Sequence, residues 1–303
     1  MIAKKHILIT GASGLLGRHV LAAWRGRHHL HAVVRRLPES PEPGVRYHCH
    51  DLAAPWTAAT LPRSIDVVVH LAQARRMREF PVAAPEIFAV NAHATAMLLD
   101  YARAAGAGLF VLASTGGLYS QSASPLAETS PVDFAEGSLA YYFRTKYCAE
   151  LMVTAYAAWM STIILRPFFM YGPGQDEAML IPRLITAVRT GKPVLLQGHE
   201  GMHLNPLYVM DAVQALTAAL SVTGQHLINI AGSETVTMME VATMIGNLLG
   251  IRPQFQMQDA PPPHLVADIT RMCALLAAPR TAFSAGIAQM IDSLPSARRH
   301  AVL

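Results

Sequence analysis

Tyr142-Phe-Arg-Thr-Lys146 sets a phenol and an ammonium four residues apart, so in a helix both stand on one face. A tyrosine titrates near ~10 in water and exchanges protons poorly at neutral pH. A cation near its oxygen favours the phenolate and draws the group toward working range. Upstream, Ser114-Thr115 closes an apolar run, and a hydroxyl there can donate to a substrate oxygen while the tyrosine exchanges the proton. Tyr-x-x-x-Lys alone is also the spacing of an exposed tyrosine beside a solvated lysine. Glycines roughly 130 residues upstream give it another meaning. In Ile7-Leu-Ile-Thr-Gly-Ala-Ser-Gly-Leu-Leu-Gly17 an apolar run stops at Gly11, and Gly14 and Gly17 follow before a helix-like stretch. A pyrophosphate on a helix N-terminus needs this layout: one glycine for the turn, one for close backbone approach and one for helix–strand packing.

Elements able to position these groups can be read from periodicity. Residues 1–120 alternate short apolar runs with helical patterns, the mark of parallel βαβ units. Strands are expected at His6–Thr10, Leu30–Val34, Arg46–His50, Val67–Leu71, Gly108–Ser114 and Thr162–Arg166. Helices are expected at Leu15–Trp24, Pro85–Gly106 and Tyr141–Met160. From Tyr171 onward the elements shorten, and Pro261-Pro-Pro263 marks a loop. The expected fold is α/β: a Rossmann-type doubly wound parallel sheet over residues 1–170, with a small mixed C-terminal lobe over 171–303. Residues 205–232 are expected to return to the sheet domain. Ligands of such sheets bind beyond the carboxyl ends of the strands.

Composition narrows the function classes. Of 303 residues, 52% are hydrophobic and 15% charged, which supports a sizeable core and argues against disorder. A net charge of +4, with the basic residues scattered apart from Arg35-Arg36 and Arg75-Arg76, implies no nucleic-acid surface. No apolar run reaches membrane-spanning length, and no secretory leader pattern opens the chain. Cys49, Cys148 and Cys273 are odd in number and far apart, so a reduced, cytoplasmic protein is expected. Fourteen histidines, densest at His28, His29, His31, His48 and His50, fall in no metal-ligand spacing, and no metal is expected.

Together these residues resemble the extended short-chain dehydrogenase/reductase family, also called the NAD-dependent epimerase/dehydratase family. Gly11, Gly14 and Gly17 match its glycine motif, Asp51-Leu52 its adenine-contacting pair and His70-Leu-Ala72 its fourth-strand motif. Asn91 matches its helix asparagine, and Ala113-Ser-Thr-Gly-Gly-Leu-Tyr119 its catalytic Ser/Thr strand. Tyr142 with Lys146 match the catalytic pair, and Leu165-Arg-Pro-Phe-Phe-Met-Tyr-Gly-Pro-Gly174 opens the substrate lobe. Asn205–Asp211 and Thr281–Leu294 match later segments. The resemblance implies Thr115 and Tyr142 on the substrate oxygen and Lys146 on the nicotinamide ribose. It implies a cofactor held by Gly11, Ser13, Gly14, Leu15, Leu16, Gly17, Asp51, Leu52, Leu71, Ala72, Gln73, Asn91, Ser114, Tyr142, Lys146 and Pro167. It also implies a homodimer through the Pro85–Gly106 and Tyr141–Met160 helices.

The departures from the family pattern refine these expectations. Where NAD-binding members end the second strand in an acid, this chain has Arg35 and Arg36, which can clamp a 2′-phosphate; NADP(H) is expected over NAD(H). Where nucleotide-sugar members carry an asparagine and two arginines, this chain has Phe169, Leu204 and about Gln258. Phe168, Phe169, Met170, Met179, Met202, Met238, Met239 and Met257 suggest a softer pocket. The expected substrate contacts are Thr115, Gly116, Phe168, Phe169 and Leu204. Gly116-Gly117 stand where 4,6-dehydratases carry Asp-Glu, so dehydration by that route is not expected. The expected activity is hydride transfer to a ketone, or from a secondary alcohol, of a small and partly apolar metabolite. The alternatives are a nucleotide-sugar 4-epimerase or 4-ketoreductase, with Arg183, Arg189 and Arg271 as available cations, and a non-catalytic NADP(H)-sensing protein.

Overall fold

Strands buried on both faces need unbroken apolar runs, and Val67-Val68-Val69 and Ile7-Leu8-Ile9 supply them, each residue at most 1% exposed. The computed structural model describes residues 3–133 and 137–294; positions 1–2 and 295–303 of the expected domains lie outside the described residues. The chain forms β1 (His6–Thr10), α1 (Leu15–Trp24), β2 (His29–Val34), β3 (Val45–Cys49) and β4 (Val67–His70). Then α2 (Ala84–Phe88) runs through a π turn at Ala89–His93 into α3 (Ala94–Ala104), followed by β5 (Leu109–Ala113). Next come α4 (Ala140–Ala155), β6 (Ser161–Pro167), α5 (Leu180–Arg189), β7 (Val194–Gln197), β8 (His203–Leu204), α6 (Val209–Ala219) and β9 (Gln225–Ile230). The remainder is β10 (Val236–Thr237), α7 (Met238–Leu249), β11 (Phe255–Gln258), β12 (His264–Leu265), α8 (Thr270–Leu275) and α9 (Phe283–Asp292).

Strand order in the main sheet is β3-β2-β1-β4-β5-β6-β9, and every pairing from β3 to β6 is parallel. The order reverses between β1 and β4, and that reversal is the crevice where doubly wound sheets take ligands. Most expected strands lie within a residue of the observed ones. The single helix expected at Pro85–Gly106 is instead two α-helical pieces joined by the π turn.

Two compact units divide the chain. The described residues of Met1–Ser120, Pro131–Arg166 and Ala215–Ile228 form the first; those of Gln121–Ser130, Pro167–Gln214 and Asn229–Leu303 form the second. In the second unit β8 pairs antiparallel with β10 and parallel with β12, and β11 pairs parallel with β7. Helix α7 starts on a capping box, with Thr237 and Glu240 bonding each other's backbone, and stops at left-handed Gly250. Within the same unit, Asn205 bonds both the N–H and C=O of Ala267, and Asp211 accepts from the backbone of Arg280 and Thr281. Among the described residues no helix is long and apolar enough to cross a membrane.

Candidate active site

Two of the three glycines of the first loop, Gly11 and Gly17, are required by space. Gly11 has φ +67°, and a Cβ there would come within 2.6 Å of Ala72 N, across the β1–β4 reversal. A Cβ on Gly17 would lie 2.6 Å from Ala12 Cα, so only glycine lets α1 close on the turn. Gly14 caps α1, no side chain occupies the cap, and no acid stands in the first turn. The helix therefore presents its free N–H groups and positive end to solvent, which is the condition for holding a pyrophosphate. Ser13 and Gly14 are exposed, Leu15 is half-buried and Leu16 is buried. Arg35 and Arg36 follow β2 directly and are exposed, as is Asp51, whose carboxylate accepts from Ala53 N at 3.0 Å; Leu52 beside it is buried. These features fit a nicotinamide dinucleotide.

At the ends of β4 and β5 the proton-handling groups converge. Tyr142 is 5% exposed, and its hydroxyl donates to Gln73 Oε1 at 2.9 Å. Thr115 bonds the same phenol and caps a short 3-10 turn by accepting from Gly117 N at 3.2 Å. Gly116 is buried, and a Cβ on Gly117 would meet the Phe143 ring at 2.5 Å, so the turn lies flush on α4. Lys146 is 2% exposed and donates to Ala113 O at 2.5 Å. Burial lowers its pKa to about 8, against the opposing pull of Glu150. For Tyr142 the sequence pointed to a lowered value, but the structure has it raised. Burial of the phenolate outweighs the lowering effects of Thr115 and the Arg78 cation, and the Lys146 ammonium is engaged with a carbonyl. Ser114, 4% exposed, leaves its hydroxyl without a partner, a buried polar atom open to a ligand.

A buried polar network underlies this site. Asn91, within the π turn, accepts from Ala74 N at 3.0 Å and donates to Thr145 Oγ1, which in turn donates to Tyr142 O. His70 joins Thr10 and Thr95 at 2.6 and 3.0 Å. Because Thr95 already donates to Asn91 O, it accepts from His70 Nε2–H, leaving Nδ1 to accept from Thr10. Burial and Lys146 hold His70 near a pKa of about 3, so it stays neutral. Farther along α4, Glu150 pairs with buried Arg166, whose guanidinium lies 4.6 Å over the Tyr119 ring.

Residues expected near the substrate in the second unit differ in their setting. Phe168 and Leu204 are buried at 2% and 0%, while Phe169 is half-buried and holds φ +41°, the one positive non-glycine φ among the described residues. Pro167 is half-buried at the end of β6. Met257 is 50% exposed, so it does not belong to an enclosed apolar pocket. The first-unit histidines form a stacked row across β1, β2 and β3 (His6 on His29, His31 on His48), a packing arrangement that spacing alone did not reveal.

A doubly wound sheet with this glycine cradle and this Thr–Tyr–Lys set defines a nicotinamide-dependent short-chain dehydrogenase/reductase. Residues 7–231 match the NAD dependent epimerase/dehydratase family, and the chain belongs to it. It is 26% identical over 302 residues to a dTDP-4-dehydro-6-deoxy-D-allose reductase from Streptomyces sp, covering 90% of this chain and 91% of that protein. A ceramide reductase from Caulobacter vibrioides is 29% identical over 265 residues, covering 83% and 73%. Among solved structures, MoeE5 in complex with UDP-glucuronic acid and NAD is 31% identical with a TM-score of 0.81, covering 95% of this chain and 98% of that one. The protein is thus an NAD(P)-dependent enzyme of the extended short-chain type.

Proposed function

We propose that this enzyme transfers hydride between NADP(H) and a ketone or secondary alcohol of a modest-sized, partly apolar metabolite, with Tyr142 as the acid/base. The observation that carries this reading is the burial of the Tyr142 hydroxyl beside Thr115 and Gln73, at the carboxyl ends of β4 and β5. A nicotinamide held in this crevice would supply or take the hydride at the carbinol carbon. Tyr142, kept protonated by burial, gives its proton to the oxygen as negative charge develops there. Thr115 donates to the same oxygen, a bond that strengthens with the charge. Lys146 would hold the nicotinamide ribose, and the positive charge of Arg78 favours the phenolate left behind.

Arg35 and Arg36 support NADP(H), because no protein partner holds either among the described residues and a 2′-phosphate would. Calorimetry tests the preference: NADPH is expected to bind at least about tenfold more tightly than NADH, and the reverse order overturns it. A second reading, a nucleotide-sugar 4-ketoreductase or 4-epimerase, draws support from the dTDP-sugar reductase relative and from the ligand of MoeE5. An NADPH-consumption assay separates the readings: net consumption with a free ketone supports the first, net consumption only with a 4-keto nucleotide-sugar supports the ketoreductase, and retained cofactor with no net turnover on a nucleotide-sugar supports the epimerase. Three exposed free thiols, Cys49, Cys148 and Cys273, support a reducing, cytoplasmic setting.

A further inference from the structure

We infer that the Gln73 side chain holds the place of the substrate oxygen: its amide carbonyl takes the one proton Tyr142 can donate, and a ketone binds productively only by displacing it. The inference rests on the hydride-transfer reading above for what must reach that hydroxyl. Tyr142 donates to Gln73 Oε1 at 2.9 Å, the length of a well-formed hydrogen bond. A phenol has a single O–H and makes one such donation at a time. An amide carbonyl and a ketone carbonyl present it with the same kind of acceptor, an sp² oxygen with two lone pairs. The bond in the structure is therefore the bond the reaction needs, made by a side chain in the ketone's position.

Of the two partners, Gln73 is the one built to give way. Tyr142 is 5% exposed and stands on α4, where Thr145 bonds its carbonyl and is bonded in turn by Asn91. The backbone around Gln73 is pinned from both sides. Ala72 N–H donates to Thr10 Oγ1 at 3.3 Å and Ala74 N–H to Asn91 Oδ1 at 3.0 Å, and both alanines are buried. Gln73 between them is exposed. Its amide leaves the phenol by rotation about side-chain bonds, with no change in β4 or α4. Ketone binding then exchanges one neutral hydrogen bond for another, so the amide weakens that binding without blocking it. The net worth of such a bond corresponds to about two- to tenfold in affinity.

The test measures ketone affinity on NAD(P)⁺-loaded protein, in which no reduction occurs, with ethyl acetoacetate and a dTDP-4-keto-6-deoxyhexose as probes. Calorimetry gives Kd for wild type, for Gln73→Leu, which keeps bulk and lacks the acceptor, and for Gln73→Glu, whose carboxylate accepts more strongly. Gln73→Leu is expected to bind at least one ketone about threefold or more tightly than wild type, and Gln73→Glu to bind it more weakly. In the Tyr142→Phe background there is no proton to compete for, and Gln73→Leu is expected to leave Kd within about twofold. Equal or weaker ketone binding by Gln73→Leu overturns the inference, as does a gain that persists without the phenol. A rise in cofactor Kd with ketone affinity unchanged also overturns it, by assigning Gln73 to the cofactor. No ketone binding even to Gln73→Leu overturns the inference and the functional reading together. Affinities in the expected order, with no hydride transfer from NADPH or NADH to either ketone, leave the inference standing and overturn the functional reading instead.

Discussion

Lys146 illustrates what the site costs at the level of one residue. Its folded pKa is about 8 against an ordinary 10.5, because burial disfavours the ammonium. Between those values the unfolded chain holds a proton the folded chain has lost, so stability rises with pH across that window and the penalty is full below it. Urea unfolding of the cofactor-free protein at pH 7 and pH 10 should therefore show wild type gaining on Lys146→Met, by at most about 3 kcal/mol. A difference between the two proteins that does not move with pH would contradict this account of Lys146. The placement of Thr115 just after a strand and of Tyr142 and Lys146 four apart on one helix was legible in the sequence from local spacing, while their joint role came from the family resemblance. The partner of the tyrosine was not. Gln73 meets Tyr142 only because the fold carries the end of β4 to α4, 69 residues away in sequence. The direction of the tyrosine's shift was misread for the same reason: spacing reveals the neighbouring cation, but burial, which dominates, is a property of the folded molecule.

At the scale of elements, α1 and the π turn do the positioning. Gly17→Ala places a methyl carbon against Ala12, so α1 must move off the turn. Cofactor affinity is expected to fall at least about tenfold, measured by calorimetry, and wild-type affinity would show that the close approach is not needed. The network around His70 sets an acid limit. His70 is held at about 3 and His31 at about 4, each below an ordinary 6.5, so the unfolded chain takes up protons first as pH falls. Stability should drop from about pH 6.5 downward, by up to ~1.4 kcal/mol per pH unit for His70 alone. In thermal melts from pH 7 to pH 5, His70→Asn should flatten that slope; an unchanged slope would assign the acid loss elsewhere. Strands and helices were readable because their apolar periods are local. The π turn was not, since the extra residue that places Asn91 on both Ala74 and Thr145 leaves the apolar spacing of the helix nearly intact.

For the whole molecule, the alternation of runs conveyed the doubly wound sheet, and of the residues 205–232 expected to return to it Ala215–Ile228 join the first unit, while the passage of Gln121–Ser130 to the second unit has no local signature. Gln121–Ser130 joins the second unit because Leu126 exchanges backbone bonds with Val266 and Asp268. On the first unit Phe88, Leu151 and Trp159, on and just beyond α2 and α4, remain 49%, 55% and 64% exposed. Such apolar exposure on neighbouring helices is what a homodimer would cover. Light scattering is expected to give twice the chain mass for wild type and a shift toward monomer for Phe88→Lys/Leu151→Lys; a wild-type monomer removes the proposed dimer. The central claim, hydride transfer with Tyr142 moving the proton, is tested most directly by following deuterium from 4-deuterated NADPH into a panel of ketones, among them a dTDP-4-keto-6-deoxyhexose. Wild type is predicted to deliver carbon-bound label to at least one ketone, with Tyr142→Phe slower by about 10²–10⁴-fold. Equal rates for the two proteins, or no label in any product, would contradict it.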